Sequence, residues 1–160
     1  MTEIIHKELS YKIIGILYDV YNSLGAGYQE KYYQKAIKIV FDKEKIPYLE
    51  QVRADLDVRG INIGRYYIDF VVNHKIVLEL KATTNFSKRD IQQVLGYLRK
   101  SGLELGILAS FAPGGLKFKR ILKGRTESNN TPSAFAINSK NSETNSRPFP
   151  FENISDYDKR

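Results

Sequence analysis

Three ionisable residues stand inside stretches of this chain that are otherwise apolar. Asp69 interrupts Tyr66-Tyr67-Ile68-Asp69-Phe70-Val71-Val72, and Glu79 and Lys81 interrupt Ile76-Val77-Leu78-Glu79-Leu80-Lys81-Ala82. Runs this apolar are strands covered on at least one face, where an unpaired charge is costly. The three charges therefore need partners, a metal ion, or an exit into a cleft. Pairing register sharpens the point. With a three-residue loop at Asn73 to Lys75, Val72 faces Ile76 and Asp69 faces Glu79. Period-two alternation then puts Ile68, Phe70, Val72, Ile76, Leu78 and Leu80 on one face. Asp69, Val71, Val77, Glu79 and Lys81 fall on the other. A two-residue loop would set Asp69 opposite Leu78, among the apolar set, so hydrophobic sorting prefers the longer loop.

The rest of the chain supplies a frame for that hairpin. Leu9, Ile13, Ile16, Leu17, Val20 and Leu24 recur at helical spacing, and Gly25 follows as a left-handed cap. A second helix is expected over about 29–45, with Tyr33, Ala36, Ile37, Val40 and Phe41 inward and Pro47 ending the stretch. Residues 48–58 alternate as a half-buried strand, and strands follow at 65–72 and 75–82. Ser87 and Asp90 make a capping-box-like start to a third helix, with Asp in place of the preferred Glu. Gly102 closes it, and strands are expected at 104–111 and 116–122. The order α-α-β-β-β-α-β-β predicts an α/β fold, a mixed β-sheet flanked by helices. Its early strands are antiparallel, and a parallel crossover passes through the third helix.

Composition narrows the chemistry. The 160 residues contain no Cys and two His, which excludes thiolate metal sites, cysteine nucleophiles and histidine-rich centres. A metal site here must be built from oxygen ligands. The net charge of +7 points to a polyanionic partner. The first ten residues carry Glu3 and Glu8 and no apolar signal core, and no stretch is apolar enough to span a bilayer. A cytoplasmic protein without membrane contact is the expectation. Composition shifts near Lys123: Ser, Asn, Thr and Pro fill 18 of the 38 positions of 123–160. The domain reading is an ordered unit over 1–122 and a polar, disordered or loosely attached tail over 123–160.

Two adjacent carboxylates repel, and one is forced towards its protonated form unless a cation compensates. Mg²⁺ accepts such oxygens, binds through one or two carboxylates, and keeps water and phosphate oxygens elsewhere. Lys81, on the same face, could orient or deprotonate an attacking water, or balance charge on a phosphorane-like transition state. The competing reading is a structural ion pair of Lys81 with Glu79 or Asp69. Glu30 lies on the inward stripe of the second helix, three residues before Tyr33, although a first-turn Glu is also favoured by the helix dipole. Gln93 flanks the stripe of the third helix, where a surface amide would be equally ordinary.

Taken in order, these residues resemble the PD-(D/E)XK nuclease superfamily: Asp69 on one strand, then Glu79-Leu80-Lys81 on the next. Gly27-Tyr28-Gln29-Glu30-Lys31-Tyr32-Tyr33 is similar to the signature that names the GxxExxY protein family within it. The resemblance continues through Gln93-Val94-Leu95-Gly96-Tyr97-Leu98 and covers about residues 5–122. It implies a restriction-endonuclease-like core, with Asp69 and Glu79 as metal ligands and Lys81 assisting the water. It also implies that Glu30 matches an extra helical carboxylate and Gln93 a polar residue on the following helix. Ile68 stands where the superfamily name has Pro, and the tail has no counterpart.

The implied function is a nuclease dependent on Mg²⁺, with Mn²⁺ as a substitute, that hydrolyses phosphodiester bonds of DNA or RNA by a metal-activated water. Basic residues would position the strand: Lys117, Lys119, Arg120, Lys123 and Arg125, with Lys88 and Arg89 on the third helix. The alternative is a non-catalytic nucleic-acid-binding or protein-interaction module on the same fold. Oligomeric state stays open, a homodimer included.

Overall fold

A computed structural model describes residues 4–124. The tail reading falls outside the described residues from 125 onward. Eight elements follow in the expected order: α1 (Lys7–Leu24), α2 (Glu30–Lys43), β1 (Tyr48–Val58), β2 (Ile61–Val72), β3 (Ile76–Lys81), α3 (Lys88–Ser101), β4 (Leu105–Ala112) and β5 (Gly115–Leu122). The strands form one sheet in the order β1-β2-β3-β4-β5. Only β3 and β4 pair in parallel, with α3 as their crossover, and the other pairs are antiparallel. β2 begins four residues earlier than the sequence suggests. The exposed Ile61 and Ile63 alternate with Asn62 and Gly64 there, and the turn-forming Gly60 and Asn62 hid that part of the strand.

The sheet separates two cores. On one face Ile13, Ile16, Leu17 and Val20 of α1 join Tyr33, Ile37 and Phe41 of α2 over Phe70, Val72, Ile76, Leu78 and Leu80. On the other, Val94, Tyr97 and Leu98 of α3 pack with Leu49, Ala54, Val71, Val77 and Leu108. α3 starts at the expected capping box, with reciprocal bonds between Ser87 and Asp90, and ends at Gly102 in the left-handed conformation. The Gly25 cap differs from expectation. Its φ is positive at 71°, but its ψ of −168° is extended, so the chain leaves α1 straight instead of curling back. α3 lies so near β4 that a Cβ at Gly106 would stand 2.4 Å from Val94 Cγ1.

The three-residue loop is the observed one: Val72 pairs with Ile76, Val71 with Val77 and Phe70 with Leu78. The face assignment needs a correction at Ile68, which packs with the α3 core and not beside Phe70. The neighbouring strand breaks at the same level, since Leu49 and Ala54 share that core despite opposite parity. Between them Gln51 sits at φ 50°, and no pairing is formed between Gln51 and Asp69. A left-handed residue rotates the strand and cancels simple alternation. That irregularity falls at Asp69.

Candidate active site

The β2–β3 ladder stops at Phe70 and Leu78, and two carboxylates take over its bonds. The Leu80 N–H donates to Asp69 Oδ2 at 2.7 Å, and the Asp69 N–H donates to Glu79 Oε2 at 3.1 Å. Asp69 and Glu79 thus lock together the two strands that carry them. Both are nearly sealed from solvent, at 7% and 5% exposure. Asp69 also accepts from Gln34 Nε2 at 2.6 Å and from Gln51 Nε2 at 3.4 Å, through Oδ1.

α2 brings a third carboxylate to this end of the sheet. Tyr33 stacks on Phe111 of β4, with centroids 4.1 Å apart and planes 13° from parallel. Its hydroxyl donates to the Gly25 carbonyl at 2.7 Å and accepts from the Tyr28 N–H at 3.3 Å. The start of α2 is fixed in this way over β4. Glu30, one turn earlier, reaches the Ala82 N–H at 3.3 Å, just beyond the end of β3. Lys81 lies between Glu79 Oε1 and Asp90 Oδ1, at 3.6 Å from each.

Electrostatics follow from this burial. Desolvation, then the charge of Asp69, push Glu79 up to about 8 against the bonds from the Asp69 N–H and Lys81. Desolvation likewise raises Asp69 to about 6, opposed by the Leu80 N–H and reinforced by Glu30. Burial works against the charge on Lys81, but Glu79, Glu30, Asp90 and Asp69 outweigh it and its pKa rises. Lys81 is an ammonium at neutral pH. Asp90 is held below the ordinary carboxylate range despite partial burial, by the Ser87 cap and by Lys81. Tyr66 is pushed up to about 12 by burial and by Glu79, and its hydroxyl donates to the Gln93 carbonyl at 3.2 Å.

The structure therefore groups Asp69, Glu79 and Lys81, and joins Glu30 to them through Ala82. Gln93 is connected by its backbone carbonyl and Tyr66, and no hydrogen bond places its side chain among the carboxylates. Gln34, Gln51 and Tyr66 were missed by sequence reasoning, as was the ion pair of Asp90. Gln34 carried a usable signal, since it stands four residues after Glu30 on the same helix. The others depend on a strand break at Gln51 and on contacts between distant elements that no spacing encodes.

Among the described residues, no group of three or more His, Asp or Glu side chains could hold a metal. The donor set that is present has two carboxylates, both buried and both raised chiefly by desolvation, with the charge of Asp69 adding to the rise at Glu79 and that of Glu30 to the rise at Asp69. That set fits a hard divalent cation bound through one or two carboxylates, with other positions left to water and phosphate oxygens.

The family model of the PD-(D/E)XK nuclease superfamily matches residues 7–121, and the chain belongs to that superfamily. Its five-stranded mixed sheet flanked by helices is the restriction-endonuclease-like α/β arrangement expected of a member. Nucleases of this superfamily typically use divalent metals and act on nucleic acid. No curated protein matches the chain. Among solved structures, the one titled "Crystal structure of SSO0001" aligns at 17% identity with a TM-score of 0.45. The alignment covers 58% of this chain and 49% of that one, so the chain spans about half of that protein's length. No helix among the described residues is long and apolar enough to cross a membrane.

Proposed function

We propose that the chain is a divalent-metal-dependent nuclease that hydrolyses phosphodiester bonds of DNA or RNA, with Mg²⁺ as the ion and Mn²⁺ as its substitute. The observation that carries this reading is the buried Asp69–Glu79 pair at the point where the β2–β3 ladder opens. The two carboxylates close the ladder, but the charge of Asp69 opposes ionisation of Glu79, and a cation relieves that repulsion. Asp69 and Glu79 would hold the ion, which polarises a phosphoryl oxygen and lowers the pKa of bound water. Lys81, kept charged by four carboxylates, orients the water and balances charge developing on the phosphoryl oxygens. Glu30, bonded to the Ala82 N–H, holds the end of β3 and adds negative potential at the ion. Gln93, on the second turn of α3, is the polar residue of the helix that follows the Glu79–Lys81 strand.

We place the chain in the GxxExxY family of the superfamily. Gly27, Glu30 and Tyr33 each serve the site: Gly27 has a φ of 101°, Tyr33 anchors α2, and Glu30 reaches β3.

The test is cleavage of plasmid, single-stranded DNA and RNA, with Mg²⁺, with Mn²⁺ and with chelator. Asp69→Asn and Lys81→Ala are expected to lower metal-dependent cleavage by about 100-fold or more while melting as folded proteins. Unchanged cleavage in either variant refutes the assignment. Tight, salt-sensitive binding without product in any metal would instead establish a non-catalytic binding module.

A further inference from the structure

The loop that leaves the site after β3 is pinned on several sides. The Ala82 N–H is bonded to Glu30, and the Thr83 N–H donates to Ser110 Oγ at 3.2 Å. The Ser110 hydroxyl donates back to the Thr83 carbonyl. Lys117 Nζ of β5 donates to the Thr84 carbonyl at 2.9 Å. Beyond this loop lies an open groove of about 540 Å³. Thr84, Asn85, Phe86 and Ile91 form one side, and β5 with Lys117 and Lys119 forms the other.

β5 contributes Leu116 and Phe118 to the groove beside its two lysines. Phe86 and Ile91 are half-buried against the α3 core and offer an apolar wall. Lys119 is exposed and has no ion-pair partner among the described residues. Lys117 and Lys119 share one face of β5, while Arg120 turns to the other and donates to the Ile5 carbonyl at 2.7 Å. An apolar wall beside the Lys119 ammonium suits a ligand with a flat apolar face and a phosphate attached. Lys81 and Thr84 are three positions apart, at most ~11 Å of chain. The register sets Glu79 beside Leu108 and Leu108 beside Lys119, so the groove's lysine stands two strands, ~10 Å, from the carboxylate.

We infer that this groove holds an unpaired base of a single-stranded nucleic acid, next to the phosphate presented to Asp69 and Glu79. The inference rests on the nuclease reading for its ligand and adds strandedness to it. A base within a duplex shows its edges only, and its face cannot lie on Phe86 and Ile91. A single strand exposes that face. The Asn85 side chain, at the rim, has both a donor and an acceptor for a base edge.

The test is fluorescence anisotropy in chelator, where no cleavage intervenes. The probes are a labelled single-stranded oligodeoxynucleotide, the RNA of the same sequence, the duplex, and the single strand with abasic positions. Both single strands are expected to bind about ten-fold tighter than the duplex, and the abasic strand to lose about as much at equal charge. Phe86→Ala should erase the difference between the parent and abasic strands. Lys119→Glu, on an exposed position that leaves the fold intact, should weaken every strand. Equal binding of parent and abasic strands overturns the inference, as does equal binding of duplex, or displacement of the oligonucleotide by polyglutamate of matched charge. The two readings fail separately. Metal-dependent cleavage lost in Asp69→Asn, with no base dependence of binding, removes the groove and keeps the nuclease. Base-dependent binding with no cleavage in any divalent ion does the reverse.

Discussion

Neutralising Glu79 should make the metal-free protein more stable at pH 8, although it removes a native ion pair. Glu79 rises from an ordinary 4.5 to about 8 in the folded chain, chiefly by desolvation and then by Asp69. A carboxyl whose folded pKa lies above its unfolded value keeps its proton more tightly when folded. Its contribution to stability is complete below the unfolded value and is lost as pH rises towards the folded one. One pKa unit corresponds to about 1.4 kcal/mol, which sets a ceiling of ~5 kcal/mol for Glu79 alone. Asp69, raised to about 6, acts in the same direction over the lower half of that window. Water entry and the Lys81 charge reduce the ceiling, so a loss of about 2–4 kcal/mol between pH 5 and pH 8 is expected in chelator. In urea titrations that is a fall in midpoint of about 1–2 M. Glu79→Gln retains an oxygen for the Asp69 N–H but no charge. Its midpoint should fall much less over the same range and exceed the wild-type midpoint at pH 8. Mg²⁺ at about 100 times its dissociation constant should return ~2.7 kcal/mol to the wild type and little to Glu79→Gln. A flat wild-type profile between pH 5 and pH 8, or a Glu79→Gln profile parallel to wild type, would refute the reasoning.

Further substitutions probe how the frame holds the site. Gly106→Ala drives a methyl against Val94 and should destabilise by about 1–3 kcal/mol in denaturant unfolding, since neither α3 nor β4 can retreat without opening the core. Tyr33→Phe removes the bond to the Gly25 carbonyl at little cost in packing, and should lower stability by about 1 kcal/mol in the same assay. Ser87→Ala removes the side-chain cap of α3 and should cost about 1 kcal/mol. It also loosens Asp90 from its cap, so cleavage by the folded variant should weaken along with stability.

Much of the frame could be read in the sequence because its signals are local. The α1 and α2 stripes, the Ser87 capping box and the Gly102 stop all act within a few residues. The β2–β3 register was legible because a one-residue slip would have buried Asp69 against Leu78. What escaped was non-local. Gln34 and Gln51 reach Asp69 from α2 and β1, and their meeting depends on the left-handed turn of the chain at Gln51. Gln51 has a Cβ and no local reason to adopt φ 50°, so sequence patterning gives no warning of it. Ile68 was assigned to the wrong face for the same reason. Alternation is a rule for regular strands, and the strand is irregular at the residue that matters most.

The irregularity also decides how the site must be tested. Asp69 Oδ2 and Glu79 Oε2 stand in for ladder acceptors, so each carboxylate has a structural duty besides any chemical one. Removal of Asp69 by Ala leaves the buried Leu80 N–H without a partner, at a cost of about 1–3 kcal/mol. Loss of activity in such a variant would not separate a missing ligand from a displaced strand. Asp69→Asn keeps an oxygen within reach of Leu80 and removes the charge, and its amide nitrogen takes the place of Oδ1, where the Gln34 and Gln51 amides must turn to accept from it. If the pair holds a cation, Asp69→Asn should melt at least as high as wild type in chelator at pH 8 and fail to gain stability from Mg²⁺. If the pair serves only to close the sheet, Mg²⁺ should leave both proteins unchanged, and the carboxylates would be a joint between strands and nothing more.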